Sequence, residues 1–153
     1  MTATAHAADL PASNTVEITT SKGPVTVVLY PDVAPKHVEA FKTLVQKGFY
    51  NGLKFHRVVP GFVAQTGDPT GTGTGGPGYT LKAEFNNKPH KRGALGMARA
   101  ASPDSAGSQF YFVLEAAPHL DNNYTVFGEV TSGMENIDKI KVGDTMETLK
   151  IVE

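Results

Sequence analysis

The segment Phe55-His56-Arg57-Val58-Val59-Pro60-Gly61-Phe62-Val63-Ala64-Gln65 decides the fold class of this sequence. β-Branched and aromatic residues on both sides of Pro60-Gly61 predict two strands joined by a turn, because proline and glycine favour turns. Arg57 and Gln65 are polar residues among apolar neighbours in these strands. A plain two-residue turn would place their side chains on opposite faces, whereas an irregular turn, such as a bulged one, would place them on the same face. The residues alone favour an interpretation in which both side chains reach solvent from a barrel edge.

Further strand-like segments lie on both sides of this pair. Together with the pair, the predicted strands are residues 16–19, 25–30, 53–59, 62–65, 94–98, 110–114, 125–127 and 148–152. Pro35, apolar residues at helical spacing and Gly48 predict a helix over residues 35–47. A shorter helical pattern covers residues 133–140. Closely spaced short strands with two helices predict an antiparallel β-barrel or sandwich.

The composition is that of a single domain with its own core. The chain has 153 residues, of which 40% are hydrophobic, and 14 basic against 15 acidic residues give a net charge of −1. A nucleic-acid-binding domain would carry a basic stripe, so no nucleic-acid partner is expected. The absence of cysteine from the sequence excludes disulfides, a thiolate nucleophile and cysteine-ligated metals. No apolar run approaches the ~20 residues of a membrane-spanning helix, so no membrane partner is expected.

The first residues differ in composition from the rest of the chain. Residues 1–14 are rich in small residues without helical or strand periodicity, and we expect a flexible arm there, followed by one domain over residues 15–153. Residues 5–9 resemble the cleavage region of a signal peptide, but no basic and apolar regions precede them. We therefore expect a cytoplasmic protein, or a periplasmic or secreted one if a signal peptide was removed.

Two motifs are shared with other enzyme classes, and neither has the context that its chemistry needs. The loop over residues 71–76 matches the dinucleotide fingerprint G-x-G-x-x-G, but Pro77-Gly78 follows and no helical pattern begins there. We expect this loop to be a flexible rim. Ser108 lacks the second glycine of a nucleophile elbow and stands at the start of an apolar strand, which disfavours a serine hydrolase.

The histidines and a basic cluster also lack the pattern of a site. The histidines have no metal-ligand spacing, so we expect each to be exposed or singly hydrogen-bonded, and no metal site is predicted. Basic residues concentrated in residues 88–92 are expected to form a solvated turn. The histidines are His6, His37, His56, His90 and His119, and the cluster consists of Lys88, His90, Lys91 and Arg92.

Residues 55–68 closely resemble the signature segment of the cyclophilins, the cyclosporin-binding peptidyl-prolyl cis–trans isomerases. The resemblance continues at residues 73–76, 93–98, 107–110 and 126–128 and covers residues 15–153 in the right order. It implies a mainly β fold, an eight-stranded antiparallel β-barrel capped by two α-helices. It also implies a substrate cleft on the outer surface of the barrel and no cofactor.

The resemblance assigns site residues by position. Arg57 corresponds to the catalytic arginine, and Phe62 and Gln65 line the same cleft. The substrate-binding residues that it implies are Val63, Ala98, Arg99, Ala100, Gln109, Tyr111, His119, Leu120 and Tyr124. Five of these depart from the usual family residue: Val63 replaces methionine, Arg99 asparagine, Tyr111 phenylalanine, His119 tryptophan and Tyr124 histidine.

The implied activity is rotation about X–Pro bonds in proline-containing peptides and partly folded proteins, by a monomer. Because His119 stands at the position of the tryptophan tied to tight cyclosporin binding, we expect cyclosporin to bind weakly. Two alternatives belong to other classes. A proline-peptide binding module would hold such peptides without catalysing their exchange, and a dinucleotide enzyme would bind nucleotide at residues 71–76.

Overall fold

Eight antiparallel strands and two helices make up the computed structural model, which describes residues 11–152. The strands are β1 (Thr15–Thr20), β2 (Gly23–Leu29), β3 (Arg57–Val59), β4 (Val63–Thr66), β5 (Ala94–Met97), β6 (Phe110–Val113), β7 (Val126–Ser132) and β8 (Met146–Val152). The helices are α1 (Pro35–Gln46) and α2 (Met134–Ile137), and a 3-10 turn covers Pro118–Leu120. The predicted strands and both helical segments are present, with α1 ending one residue earlier than expected.

The strands form one sheet in the order β3-β4-β6-β5-β7-β2-β1-β8. The chain just before β3 meets the chain just before β8 through an isolated bridge between Lys54 and Thr145. Beside this bridge, the Phe55 N–H donates to the Asp144 carbonyl at 2.7 Å. The sheet therefore curls until its two edges meet, which confirms the mainly β, barrel-like fold with two helices.

The two faces of β4 and β6 serve different clusters of side chains. Ala64, Phe110 and Phe112 point into the main core, where all three are fully buried. Val63 and Tyr111 belong to a second, smaller cluster. Because side chains alternate along a strand, the first set fills the inside of the barrel and the second covers its outside.

Helix α1 closes the core with its apolar stripe. Val38, Phe41 and Leu44 are buried, and the Phe41 ring lies 5.3 Å from that of Phe110. The N-cap residue of the helix is Ala34, whose side chain makes no capping hydrogen bond. Instead, the Glu84 carboxylate accepts hydrogen bonds from the backbone N–H groups of the first helical turn, at 3.1 and 2.8 Å. A negative charge at this end also complements the helix dipole.

The connection between β3 and β4 is a turn of residues 60–62 rather than a plain turn at Pro60-Gly61. Gly61 supplies the left-handed conformation that it needs, with φ of 73°. As a result, Arg57 pairs directly with Gln65, and the two side chains share the outer face. Phe62 therefore lies in the turn and not in the strand predicted over residues 62–65.

The structure describes only the last part of the expected N-terminal arm, because residues 1–10, including His6, lie outside the described residues. Within residues 11–14, the Asn14 carbonyl accepts the Leu29 N–H at 2.8 Å, and the Pro11 carbonyl accepts a hydrogen bond from the Lys42 ammonium at 2.6 Å. Residues 11–14 are thus bonded to the domain. Among residues 11–152, no helix is long and apolar enough to cross a membrane.

Candidate active site

A pocket of about 180 Å³ lies on the outer face of the barrel, where β3, β4 and β6 present their second set of side chains. Its lining residues are Arg57, Phe62, Val63, Gln65, Ala98, Arg99, Tyr111, Leu120 and Tyr124. All nine belong to the residues that the resemblance assigns. Residues from four separate parts of the chain thus meet at one place on the surface.

A row of paired residues across four strands forms the base of this pocket. Arg57 pairs with Gln65, Gln65 with Tyr111, and Tyr111 with Gly96 on β5. A Cβ atom at Gly96 would lie 2.3 Å from the Tyr111 ring. The ring therefore lies flat across β5 at a position where only glycine leaves room for it.

Arg57 is held by a chain of side-chain amides. Its Nη1 donates to the Gln65 carbonyl oxygen at 3.2 Å, and the Gln65 amide donates to the Gln109 side-chain oxygen at 3.0 Å. The Gln109 amide in turn donates to the backbone carbonyl of Gly75 at 3.0 Å. Among the described residues no carboxylate pairs with Arg57, so its exposed guanidinium keeps further donors for a ligand.

The wall of the pocket opposite the amide chain is apolar. Phe62 and Leu120 pack on the second cluster together with Val63. His119 stacks on the Phe62 ring at a centroid distance of 5.5 Å and an interplanar angle of 26°. His119 therefore supports Phe62 from outside and does not line the pocket itself.

Tyr111 carries a hydroxyl at a buried position. Its hydrogen-bond partner is His90, which in turn bonds to Asp121, and the sequence analysis assigned neither residue to a site. The Tyr111 hydroxyl lies 2.8 Å from Nε2 of His90. Nδ1 of His90 lies 2.9 Å from a carboxylate oxygen of Asp121, which also accepts the His90 backbone N–H at 2.7 Å. His90 is only 1% exposed, so its expected place in a solvated turn is wrong. The signal that could have found it is a tyrosine at a buried pocket position, because a buried hydroxyl needs a partner.

Burial and hydrogen bonding shift the pKa values of this chain of groups. Burial raises the pKa of Tyr111 above its usual range. Burial also lowers the pKa of His90, although the hydrogen bond and charge of Asp121 act in the opposite direction. The hydrogen bonds from the backbone and side chain of His90 lower the pKa of Asp121. At neutral pH these three hydrogen-bonded side chains are therefore a neutral phenol (Tyr111), a neutral imidazole (His90) and a carboxylate (Asp121).

The other members of the predicted basic cluster each have a partner. Lys88 lies 4.9 Å from the centre of the Tyr30 ring, and Lys91 lies 3.4 Å from a Glu129 carboxylate oxygen. Arg92 donates to both carboxylate oxygens of Asp138, at 2.8 and 2.6 Å. Lys91 and Arg92 are exposed and Lys88 is half-buried, and each of the three contacts a side chain of the domain.

A groove of about 460 Å³ adjoins the pocket and shares Gln65, Ala98 and Arg99 with it. Ala100 and Gln109 line this groove and not the pocket, which distributes the assigned residues over two neighbouring depressions. The N–H groups of Ala98 and Ala100 are already bonded, to the Gln109 carbonyl and the Ser105 hydroxyl.

Arg99 lines both depressions. Its guanidinium lies 4.5 Å from the centre of the Tyr124 ring and donates to the Asn123 carbonyl at 3.0 and 2.8 Å. Further hydrogen bonds to the carbonyls of Ala100 and Ala101 tie it to its own loop. The backbone N–H of Arg99 has no partner among the described residues, which leaves one donor for a peptide along this edge.

The glycine-rich loop that forms the far side of the groove is organised around Asp68. This carboxylate accepts the N–H and the hydroxyl of Thr70, both at 2.7 Å, and the N–H of Gly73. Burial disfavours its charge, but hydrogen bonds from Thr70, Gly75 and Gly73 outweigh this and hold its pKa far below the usual range. Because the Asp68 carboxylate already accepts the N–H groups of Thr70, Gly73 and Gly75, a phosphate would have to compete with a negative charge of the loop itself, which counts against the dinucleotide alternative.

Of the remaining histidines, His37 and His56 lie within the described residues, and neither belongs to a metal site. His37 is buried in α1 with its Nδ1 2.6 Å from Glu84, and both ring nitrogens of His56 are buried without a hydrogen-bond partner. Within residues 11–152, no group of three or more histidine, aspartate or glutamate side chains is arranged to hold a metal ion.

Comparisons with known proteins agree with this geometry. The family model described as "Cyclophilin type peptidyl-prolyl cis-trans isomerase/CLD" matches residues 15–153. Peptidyl-prolyl cis-trans isomerase B of Bacillus subtilis is 53% identical over 125 residues, which cover 80% of this chain and 87% of the relative. A probable peptidyl-prolyl cis-trans isomerase of Brucella suis is 48% identical over 156 aligned residues, covering 94% of this chain and 79% of the relative.

Solved structures show the same architecture. The crystal structure of a Cryptosporidium parvum cyclophilin type peptidyl-prolyl cis-trans isomerase superposes with a TM-score of 0.86 at 29% identity, covering 92% of this chain and 98% of that chain. A barrel with an outer cleft of this kind defines a cyclophilin-like protein. By its sequence, the chain belongs to the cyclophilin-type peptidyl-prolyl cis-trans isomerases, and it is an isomerase of X–Pro peptide bonds.

Proposed function

We propose that Arg57 accelerates the isomerisation by donating a hydrogen bond to the proline nitrogen while the X–Pro amide is twisted. The observation that carries this proposal is the charged guanidinium, held by Gln65, at the mouth of an apolar pocket. A pocket of about 180 Å³ is of a size to take a proline ring, and the ring would bring its nitrogen towards Arg57.

The chemistry of the reaction requires little more than this. Amide resonance sets a barrier of ~18–20 kcal/mol to rotation about the C–N bond. No covalent bond forms or breaks during this rotation. At the twisted transition state the nitrogen loses conjugation and becomes a hydrogen-bond acceptor, which it is not in either planar isomer. A donor that is always charged and never accepts therefore binds the transition state more tightly than the ground states, which is the condition for catalysis.

The apolar wall has a separate task in this mechanism. Phe62, Leu120 and the Tyr111 ring would hold the proline ring still while the preceding carbonyl rotates in the open part of the cleft. Their apolar surface also lowers the local dielectric constant, which strengthens the contact between Arg57 and the nitrogen. The amide chain through Gln65 and Gln109 would keep the guanidinium from following the rotating group.

The substrates that fit this site are proline-containing peptides and exposed X–Pro segments of partly folded proteins, bound by a monomer. The groove beside the pocket would take the residues that precede the proline, since it continues from the pocket across Arg99. A second crystal structure of the Cryptosporidium parvum relative, obtained in the presence of the dipeptide Ala-Pro, matches this chain with a TM-score of 0.85. For cyclosporin we propose weak binding, because an imidazole at His119 offers less apolar area than an indole.

The decisive experiment compares Arg57→Ala with Arg92→Ala, which removes the same charge at the Asp138 ion pair outside the pocket. Exchange spectroscopy on a short X–Pro peptide measures isomerisation, and peptide titration measures binding. We expect Arg57→Ala to lose most of its catalysis while keeping its fold and most of its peptide affinity, and Arg92→Ala to remain active. Near-normal isomerisation by Arg57→Ala would refute the mechanism, and wild type that binds peptide without turnover would indicate a binding module.

A further inference from the structure

Behind the wall of the proline pocket, the Tyr111 hydroxyl, the His90 ring and the Asp121 carboxylate form a hydrogen-bonded chain whose polar groups the proposed reaction does not use. Tyr111 is 4% exposed and His90 is 1% exposed, so neither side chain can turn to solvent for a partner. The two rings stack at a centroid distance of 5.9 Å and an interplanar angle of 18°. A single orientation of the Tyr111 ring satisfies its hydroxyl, its stacking on His90 and its place above Gly96.

The protons of this chain can be assigned by counting donors and acceptors. An ionised Asp121 only accepts hydrogen bonds, so the proton of the neutral imidazole must lie on Nδ1 of His90. Nε2 then carries a lone pair and must accept, and the donor 2.8 Å away is the hydroxyl of Tyr111. Each polar atom thus either donates or accepts a hydrogen bond, and this arrangement of donors and acceptors holds only while His90 is neutral.

We propose that His90 and Asp121 are positioning residues that fix the Tyr111 ring as a wall of the proline pocket, and that protonation of His90 loosens this wall and weakens substrate binding in acid. The proposal rests on the proposed function of the pocket. It adds a residue pair outside the pocket lining that sets how well the pocket holds proline, and a pH dependence that the reaction itself does not require.

Protonation removes the acceptor that the phenol needs. A doubly protonated His90 donates from both nitrogens, so the Tyr111 hydroxyl oxygen must accept the hydrogen bond from Nε2–H. The proton of the Tyr111 hydroxyl then has no acceptor among the described residues. An unpaired buried donor costs more than the average hydrogen bond contributes, and the ring can relieve it by moving away from His90. Such movement changes the shape of the pocket because the ring is part of its lining.

The groups that face the His90 ring set the direction of the pH effect. Asp121 contacts Nδ1, Tyr111 contacts Nε2, and the Tyr124 ring meets His90 edge-on at 6.4 Å with the Arg99 guanidinium on Tyr124. Burial and the charge of His119 lower the pKa of His90, while Asp121 raises it, and the net effect is a lowered pKa. The wall is therefore intact at neutral pH and loosens only below the ordinary range of histidine, near ~6.5.

The first test uses His90→Leu and His90→Gln, with kcat and KM measured on a short X–Pro peptide between pH 5 and 8. Leucine removes the acceptor, and we expect KM to rise about five- to tenfold with little change in kcat. Wild type should show a rise of KM in acid. Glutamine can place its side-chain oxygen near the position of Nε2 and does not titrate, so we expect His90→Gln to restore most of the affinity and to lack that rise. An unchanged KM in His90→Leu, or an acid dependence that persists in His90→Gln, would overturn the proposal.

A double-mutant comparison separates positioning from a general loss of structure. In His90→Leu/Tyr111→Phe both polar partners are replaced by apolar groups, and we expect KM to return towards the wild-type value. If the effect of His90→Leu were only a damaged fold, the second substitution would not improve it. This comparison also serves if His90→Leu alone is too unstable to study.

A readout without substrate keeps the proposal distinct from the proposed function. Long-range 1H–15N spectra of the free protein report the tautomer of His90, and we expect the Nδ1–H form at pH 7. The Nε2–H form or a charged ring at pH 7 would refute the proton assignment even if Arg57 is catalytic. Conversely, activity that survives Arg57→Ala would refute the mechanism and leave the His90 assignment standing.

Discussion

The inner and outer faces of β4 and β6 show how one pair of strands supports two different kinds of chemistry. On the inner face, Phe110 and Phe112 are fully buried in the main core. On the outer face, the Gln65 side chain accepts a hydrogen bond from Arg57, and the Tyr111 hydroxyl bonds to His90. Neighbouring residues of one strand thus differ in what a substitution should damage, the free energy of unfolding on the inside and the reaction on the outside.

The largest effect should come from the inner face. Phe112→Ala removes a fully buried ring that packs on Phe55 and Phe110, at centroid distances of 6.1 and 5.6 Å. We expect the free energy of unfolding to fall by about 3–5 kcal/mol, as for other buried aromatic residues replaced by alanine. Urea denaturation measures this loss.

The same variant tests whether the two faces are separate. At a temperature where Phe112→Ala is still folded, we expect its isomerase activity per folded molecule to stay close to that of wild type. A loss of activity as large as that of Arg57→Ala would show that the core and the cleft are coupled through β6. The two faces of the strand would then not be independent.

A substitution at the base of the outer pocket should give an intermediate effect. Gly96→Ala places a Cβ atom 2.3 Å from the Tyr111 ring, which must move away and give up its bond to His90. We expect a loss of about 1–3 kcal/mol in the free energy of unfolding, typical of overpacking, together with a higher KM. Thermal unfolding and steady-state kinetics measure the two effects.

The control for unfolding is Gly76→Ala, because nothing lies within 4 Å of a Cβ atom there. Its free energy of unfolding should be within about 0.5 kcal/mol of that of wild type, as for most surface substitutions. An equally small effect of Gly96→Ala would mean that the Tyr111 ring has a second position that fits the barrel.

The smallest effect should come from the rim of the outer face. His119→Trp exchanges the imidazole that stacks on Phe62 for a larger apolar ring at an exposed position. At ~25 cal/mol per Å², about 60 Å² of added apolar contact would strengthen cyclosporin binding by about 1.5 kcal/mol, or roughly tenfold. Inhibition of both proteins by cyclosporin measures this change.

Short proline peptides provide the matched ligand for that experiment. They are too small to need the rim, so their affinity and the free energy of unfolding should change little in His119→Trp. Equal inhibition of the two proteins by cyclosporin would show that this ligand does not depend on position 119 in this chain.

Much of this architecture could be predicted from the sequence, because local patterns determine it. Alternating and β-branched segments indicated the strands, and Pro35 and Gly48 bounded α1 to within a residue. The motifs shared with the cyclophilins named all nine residues that line the pocket, because those motifs are carried by residue types in a fixed order.

What the sequence did not predict depends on contacts between distant residues. Counting along the strands could not decide the register of Arg57 and Gln65, because one additional turn residue moves a side chain to the other face. His90 looked like part of a polar turn, since its partners Tyr111 and Asp121 lie 21 and 31 residues away. The cap of α1 by Glu84, which is 47 residues from His37, was invisible for the same reason.

The turn of residues 60–62 places a constraint on chain length rather than on residue type. If the turn lost one residue, the strand before it would shift by one position, and the side chain of Arg57 would point towards the aromatic core. A guanidinium is too costly to bury there without a partner, so such a chain would have to give up either its fold or its arginine. Insertions and deletions should therefore be rarer in this turn than in the other surface loops, even where several amino acids would fit each of its positions.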